Sequence, residues 1–324
     1  VNSWKTILLA ALLAAGFTAC DADSSSTPDV THDAVELVET DSRVEETTDA
    51  GPTPDDRFGE TPAFDEGDQR VEDLFHGVRL VHRQTETPRP LSYHLVLIDP
   101  SAEGIDFTLT PDNGDDQRET TRQTTLSFTE AVDAQVAINA HFFRPWPSQE
   151  PYADLAGLGA SDGHVYSLFE GAFNQAFVTT TDGAVHIVEQ AAGDDTGAAV
   201  TPEVPVDDAI GSNERIIRDG TNTATWEELH PRTAIGITSQ GHIVAIVVDG
   251  RQDGISEGMT TLEVADVLLE FNVEDAINLD GGGSSTLVVA NPEPIVVNTP
   301  VGLVFPGTER ENGSNFAIFA QPQP

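Results

Sequence analysis

Apolar residues along this chain recur mostly in short runs with a period near two. Val78-Arg79-Leu80-Val81-His82 and Tyr93-His94-Leu95-Val96-Leu97-Ile98 predict two strands, with Pro88 and Pro90 punctuating the turn between them. Ile105 to Thr110 alternates as a half-buried strand does. Leu126 to Val132 reads as a short helix and Val136-Ala137-Ile138-Asn139 as a buried strand after it. Phe177-Val178-Thr179 and Val185-His186-Ile187-Val188 flank Asp182-Gly183, a hairpin signal. The small, acidic stretch from Ala191 to Pro205 predicts a surface loop. Thr233 to Ile237 and His242 to Val248 are strands around Ser239-Gln240-Gly241. Thr261 to Phe271 is a helix with Leu262, Ala265, Leu268 and Leu269 on one face, opened by a capping box of Thr260 and Glu263. A strand Ala276 to Asp280, a tight loop Gly281 to Ser285 and a strand Thr286 to Val289 follow. The sum is an α+β fold: a single domain, residues 74–324, with a strand-rich mixed sheet and few helices.

Before Leu74 the pattern changes. Residues 1–20 carry Lys5 and then an apolar run from Ile7 to Phe17, shorter than the roughly 20 residues of a membrane span. A basic start, a short apolar stretch and small residues before a break describe a signal peptide. The break, Phe17-Thr18-Ala19-Cys20, is similar to a bacterial lipobox and makes Cys20 the expected lipidation site; ordinary cleavage and secretion is the alternative. Residues 21–73 hold 18 acids against three arginines and few large apolar side chains. Such a segment does not bury enough apolar surface to offset chain entropy, so it reads as a disordered acidic linker with a reach of about 40 Å. The expected location is outside the cell, anchored by lipid to a cell envelope.

Charge narrows the partners. Asp and Glu number 55 against 15 Lys and Arg, a net charge of −40. That repels nucleic acid and anionic lipid, leaving no nucleic-acid partner and membrane contact only through a lipid on Cys20. Lys5 is the sole lysine, so every later basic residue is Arg. Adaptation to salt and a biased genome both account for this. Cys20 is the sole cysteine, so no intramolecular disulfide forms.

Candidate chemistry gathers at strand ends. Asn278-Leu279-Asp280-Gly281-Gly282-Gly283-Ser284-Ser285 is the most informative stretch. Three consecutive glycines cost backbone entropy, let the chain approach a ligand and can aim N–H groups at an anion, with Asp280 beside them. A plain turn that needs positive φ is the competing reading. No Gly-Lys-Ser/Thr follows, so this is not a P-loop, and no G-x-S-x-G frames Ser284 or Ser285 as a nucleophile. Val247-Val248-Asp249-Gly250-Arg251 delivers a carboxylate and a guanidinium together, or a surface ion pair. In His230-Pro231-Arg232-Thr233, Arg232 suits a bidentate grip on phosphate, while His230 reads as structural. Asn139-Ala140-His141-Phe142-Phe143 sets polar groups beside aromatics, as a sugar pocket requires; Phe142 and Phe143 also suit a core, and His141 suits an acid, a base or a metal ligand. H-x-x-x-H spacing is absent, so no metal site and no cofactor is predicted, and a metal requirement stays open.

These motifs, with Ser161-Asp162-Gly163, occur in the order found in phosphodiester glycosidase domains, which the chain resembles from Leu74 to its end. Asn298 and Arg310 also stand where that family tends to place them. The resemblance implies cleavage of the sugar C1–O bond of a sugar-1-phosphodiester or envelope glycopolymer, giving free sugar and a phosphomonoester. It implies catalytic roles for Asp280 and Asp249. It implies substrate contacts from Asn139, Arg232, Thr233, Arg251, Asn278, Gly281, Gly282, Gly283, Ser284 and Arg310. His141 stands where glycine is common, and vertebrate members lack an arginine equivalent to Arg251. A carbohydrate-binding surface lipoprotein without catalysis is the alternative on the same fold.

Overall fold

One sheet with two apolar faces organises the molecule. In the computed structural model, which describes residues 56–114, 116–302 and 305–324, its eight strands run in the order Asp68–Phe75, Val78–Thr85, Leu91–Ile98, Ile243–Val248, Arg232–Thr238, Val273–Asn278, Arg215–Arg218 and Thr221–Asn222. The central strand Ile243–Val248 is buried at every position, which explains its unbroken apolar run IVAIVV. One face, through Leu95, Ala234, Val244 and Ile246, packs on Val264, Ala265 and Leu268 of the helix Thr261–Glu270. Thr260 and Glu263 form the expected capping box there.

The other face packs through Val96, Ile98, Ile235, Ala245 and Val247 on a five-stranded sheet. That sheet runs Pro294–Val296, Leu287–Ala290, Val136–Asn139, Asn315–Phe319 and Asp106–Leu109. Val136, Ile138, Leu287, Val289, Phe316 and Ile318 are its contribution to the shared core. The short helix Thr125–Val132 covers its far side, where Phe128 meets Ala137 and Ala317. A six-stranded and a three-stranded sheet complete the body. The hairpin of Gln175–Thr179 with Val185–Gln190 lies in the six-stranded sheet, as Asp182-Gly183 signalled.

Two expectations are corrected. The sheets are not mixed: every strand pairing among the described residues is antiparallel. Nor does the folded body wait for Leu74. Strand Asp68–Phe75 pairs with Val78–Thr85, and the segment ahead of it is pinned by two arginines. Arg79 bonds the Gly59 carbonyl at 3.0 Å. Arg83 is fully buried, bonds the Pro62 carbonyl at 2.9 Å and Glu270 at 2.7 Å, and stacks on Phe64 and Phe271. Polar composition hid this segment because its order comes from partners distant in sequence. The signal segment with Cys20 and the linker up to residue 55 lie outside the described residues. No helix among the described residues is long and apolar enough to cross a membrane.

Candidate active site

The glycine loop is held from three sides. Strand Val273–Asn278 pairs with Arg232–Thr238, so the loop after it lies over the start of that neighbour. Gly282 N–H donates to the Pro231 carbonyl at 2.9 Å. A Cβ on Gly281 would stand 2.7 Å from that same oxygen, so the close approach requires glycine. Gly282 has φ +62°, the left-handed region. From below, Asn139 donates through Nδ2 to the Asp280 carbonyl at 2.5 Å. Its Oδ1 accepts from Thr233 Oγ1 at 2.7 Å and from Thr286 N–H at 3.1 Å. Asn139 therefore ties three elements together.

Asp280 stands where this loop meets a cavity of about 430 Å³. Ser284 Oγ donates to Asp280 Oδ2, and Arg310 Nη2 donates to the same oxygen at 3.0 Å and to Ser284 Oγ. Burial pushes the Asp280 carboxyl above the usual carboxylate range, while Arg310, the Ser284 hydroxyl and the Gly281 N–H oppose that rise. The Arg310 guanidinium is buried and stacks on Trp146 at 4.0 Å and on Phe143 at 5.6 Å.

Two more guanidiniums line the cavity. Arg232 is buried under Trp226, 5.6 Å from its ring, and donates to the backbone carbonyls of Met259 (3.0 Å) and Glu228 (2.6 Å). Arg251 is exposed and donates to His230 Nδ1. Neither has a carboxylate within ion-pair distance among the described residues, whereas Arg310 is matched by Asp280. The cavity is thus net cationic within a chain of charge −40. Phe142, Phe143, Trp146 and Trp226 form its aromatic wall. Asn278 lines it too, and the two polar atoms of its side chain are buried with no hydrogen-bond partner among the described residues. No group of three or more possible metal ligands occurs among the described residues.

The structure divides the expected site residues. Asp280, Arg232, Arg251, Asn278, Gly281, Gly282, Gly283 and Arg310 line one cavity. Ser284 sits directly behind Asp280. Asn139 and Thr233 do not reach the cavity; they are fully buried and bonded to each other. Asp249 does not line it either. Its Oδ1 accepts from Asn298 Nδ2 and from Thr299 N–H, both at 2.9 Å, and Asn298 in turn accepts from Leu287 N–H and donates to the Ser285 carbonyl. Burial raises the Asp249 carboxyl against those bonds and one from Ser92. Gly282 N–H uses Pro231 and Gly281 N–H faces Asp280, while Gly283 N–H has no partner among the described residues.

His141 is structural. It is fully buried, with Nδ1 2.9 Å from Ser314 Oγ and Nε2 within 2.9 Å of Leu158 O and Gly211 N. Burial pushes it down to about 4. Sequence reasoning missed Trp146, Trp226 and the place of His230, all on the cavity wall. It also missed Glu214, buried beside Trp226. Glu214 Oε1 accepts from Thr225 N–H at 2.7 Å, while Oε2 has no partner among the described residues. Tryptophan is rare enough here, three in the chain, to have served as a signal.

Fold and cavity together define an antiparallel β-rich domain with a cationic, aromatic-walled cleft at the ends of its central strands. The family model for phosphodiester glycosidases matches residues 133–319, a span that holds every cavity residue named above. The chain belongs to the phosphodiester glycosidase family. It is 31% identical over 188 residues to the SPbeta prophage-derived uncharacterized protein YomE of Bacillus subtilis, covering 52% of this chain and 26% of that protein. It is 45% identical over 58 residues to the bovine N-acetylglucosamine-1-phosphodiester alpha-N-acetylglucosaminidase, covering 18% of this chain and 11% of that enzyme. The chain thus aligns with 26% or less of the length of these curated relatives. The catalytic domain of the zebrafish N-acetylglucosamine-1-phosphodiester alpha-N-acetylglucosaminidase, auto-inhibited by its pro-peptide, superposes with a TM-score of 0.57 at 19% identity, covering 81% of this chain and 85% of that one. A Burkholderia pseudomallei protein described as exported superposes at 0.55 with 15% identity, covering 73% and 75%. These likenesses show a shared fold.

Proposed function

We propose that this chain hydrolyses the bond between the anomeric carbon and the phosphate oxygen of sugar-1-phosphodiesters, with Asp280 as the catalytic carboxylate. The observation that carries the reading is Asp280 itself. Among the described residues it is the only carboxylate lining the cavity, it is locked by Ser284 and Arg310, and it faces two guanidiniums with no carboxylate at ion-pair distance there. An ordinary glycosidase uses two carboxyl groups, because an alkoxide leaving group needs a proton. A phosphate monoester leaves as a weakly basic anion and does not. One carboxylate is therefore enough, provided cations take the developing charge.

In this reading Arg232, Arg251 and the Gly283 N–H hold the phosphate. Asn278 bonds sugar hydroxyls, and the ring lies on the aromatic wall formed by Phe142 and Trp226. Asp280 acts at the anomeric carbon as nucleophile, or as the base that takes a proton from water. Either course breaks C1–O, places the water oxygen on the sugar and leaves the electron pair on the phosphomonoester. Asp249 acts by holding Asn298 and the chain after the glycine loop. The expected leader at residues 1–20 and the location of the substrate in an envelope extend the same reading.

The test is release of free sugar from a panel of sugar-1-phosphodiesters by the chain and by its Asp280→Asn variant. The wild type should turn over at least one substrate, and the variant should be about 10³-fold slower with its melting temperature kept. Undiminished activity of Asp280→Asn refutes the assignment. Asp249→Asn should lower the melting temperature.

A further inference from the structure

His230 was read from sequence as structure, yet it lines the cavity and touches one of its free cations. Arg251 reaches it twice, with Nε 3.3 Å and Nη2 3.0 Å from His230 Nδ1. A guanidinium only donates, so Nδ1 must accept, and the imidazole is neutral with its proton on the other nitrogen. The pair is braced by backbone. His230 and Met259 exchange N–H···O bonds at 3.2 and 3.0 Å, and Gly258 and Gly250 pack so tightly on residues 230 and 231 that a Cβ on either would clash. Arg251 holds φ +57°, unusual for a residue with a side chain, and its Nη1 lies 3.1 Å from where a Cβ on Gly282 would stand. The guanidinium is thus aimed across the glycine loop by its contact with His230.

We propose that His230 is the positioning residue for Arg251: its neutral Nδ1 holds the guanidinium over the glycine loop to receive the substrate's phosphate, and a proton on His230 releases it. The inference rests on the reading of this cavity as a phosphodiester site. Protonation turns the one acceptor that Arg251 has among the described residues into a donor and sets two cations against each other. The charged groups facing His230 are Arg251 from the neighbouring loop, Arg232 and Glu228 from its own segment, and Asp280 with Arg310 across the cavity. Burial, Arg251 and Arg232 keep His230 below the ordinary histidine range, against the Leu229 carbonyl and Glu228. Affinity for an anion is therefore full at neutral pH and falls on the acid side of that range. Protonating Asp280, like protonating His230, adds a positive charge to the site and by itself favours an anion, so a loss of affinity at low pH reports the released Arg251 guanidinium and not the change in charge. A loss of affinity at low pH cannot come from Asp280.

The experiment is calorimetric titration of the chain with diphenyl phosphate, a sugar-free diester that keeps one negative charge from pH 4.5 to 7.5. Wild-type affinity should fall about tenfold over that range, the scale of one charge-assisted bond. His230→Asn offers an acceptor near the Nδ1 position that does not titrate, and it should bind as wild type at pH 7.5 and stay flat. His230→Ala should bind about tenfold more weakly and also stay flat, with a wild-type melting temperature. An acid-side loss in His230→Asn equal to wild type, or wild-type affinity in His230→Ala, overturns the inference alone. No binding by the wild type at any pH overturns the phosphate reading of the cavity and this inference with it.

Discussion

His94 lies within the central sheet, 4% exposed, stacked on His82 with ring centroids 4.1 Å apart, and its Nδ1 has no partner among the described residues. Burial, helped by His82, pushes its pKa from 6.5 to about 3. A histidine held down in this way stabilises the fold fully above 6.5, where both states are neutral. Below that the unfolded chain takes up a proton that the folded chain refuses, so stability falls with pH until about 3. At pH 5 the gap is about 1.5 pH units, or about 2 kcal/mol. Carboxyls push the other way: Asp208 is raised to about 6, so its cost when ionised is relieved as pH falls. The total pH dependence mixes these signs, and a single substitution isolates one of them. His94→Phe keeps a flat ring on His82 and cannot titrate. The stability lost between pH 8 and pH 5 should be about 2 kcal/mol smaller in the variant than in wild type, read by urea unfolding, or about 4–8 °C in melting temperature. Equal pH slopes for the two proteins would refute the argument that His94 is kept neutral by burial.

Three further outcomes follow from the packing. Arg83→Met keeps the aliphatic stem but loses the bonds to Gln69, Pro62 and Glu270; it should cost about 3 kcal/mol and open residues 57–66 to limited proteolysis, and unchanged protection there would sink the pinning role. Gly281→Ala places a Cβ 2.7 Å from the Pro231 carbonyl and should cost about 1–3 kcal/mol in chemical denaturation, with weaker diester binding; wild-type stability would show that the loop has room. Self-repulsion at net charge −40 should be screened by salt, so the melting temperature should rise from low to molar salt, and a flat or falling response rejects salt adaptation.

Much of this molecule was legible from local pattern. Period-two runs marked the strands Val78–Thr85, Leu91–Ile98 and Ile243–Val248, because alternation or unbroken burial leaves its trace in each strand's own residues. Thr260 with Glu263 marked the start of the helix Thr261–Glu270, since a cap is satisfied within four residues. Asp280 and its glycines stood out for the same reason: the loop needs those residue types wherever it is placed. Tertiary structure alone decided which polar residues share a cavity. Asp249 and Asp280 follow the two strands that flank Arg232–Thr238, yet Asn298 and Thr299 hold the first away from the cavity while Ser284 and Arg310 hold the second on its wall. Asn139 and Thr233 carry the polarity of ligand contacts but spend it on each other. Trp146 and Trp226 come to the cavity from segments with no motif of their own, and His230 from one whose sequence pointed to Arg232 instead. The order of residues 56–73, masked by acidic composition, depends on Arg79 and Arg83 reaching back across the sheet. The sequence determined which elements form and where a carboxylate meets a tight loop. Whether a given polar group faces solvent, ligand or another buried group depends on partners tens to hundreds of residues away, and only the folded chain brings those together.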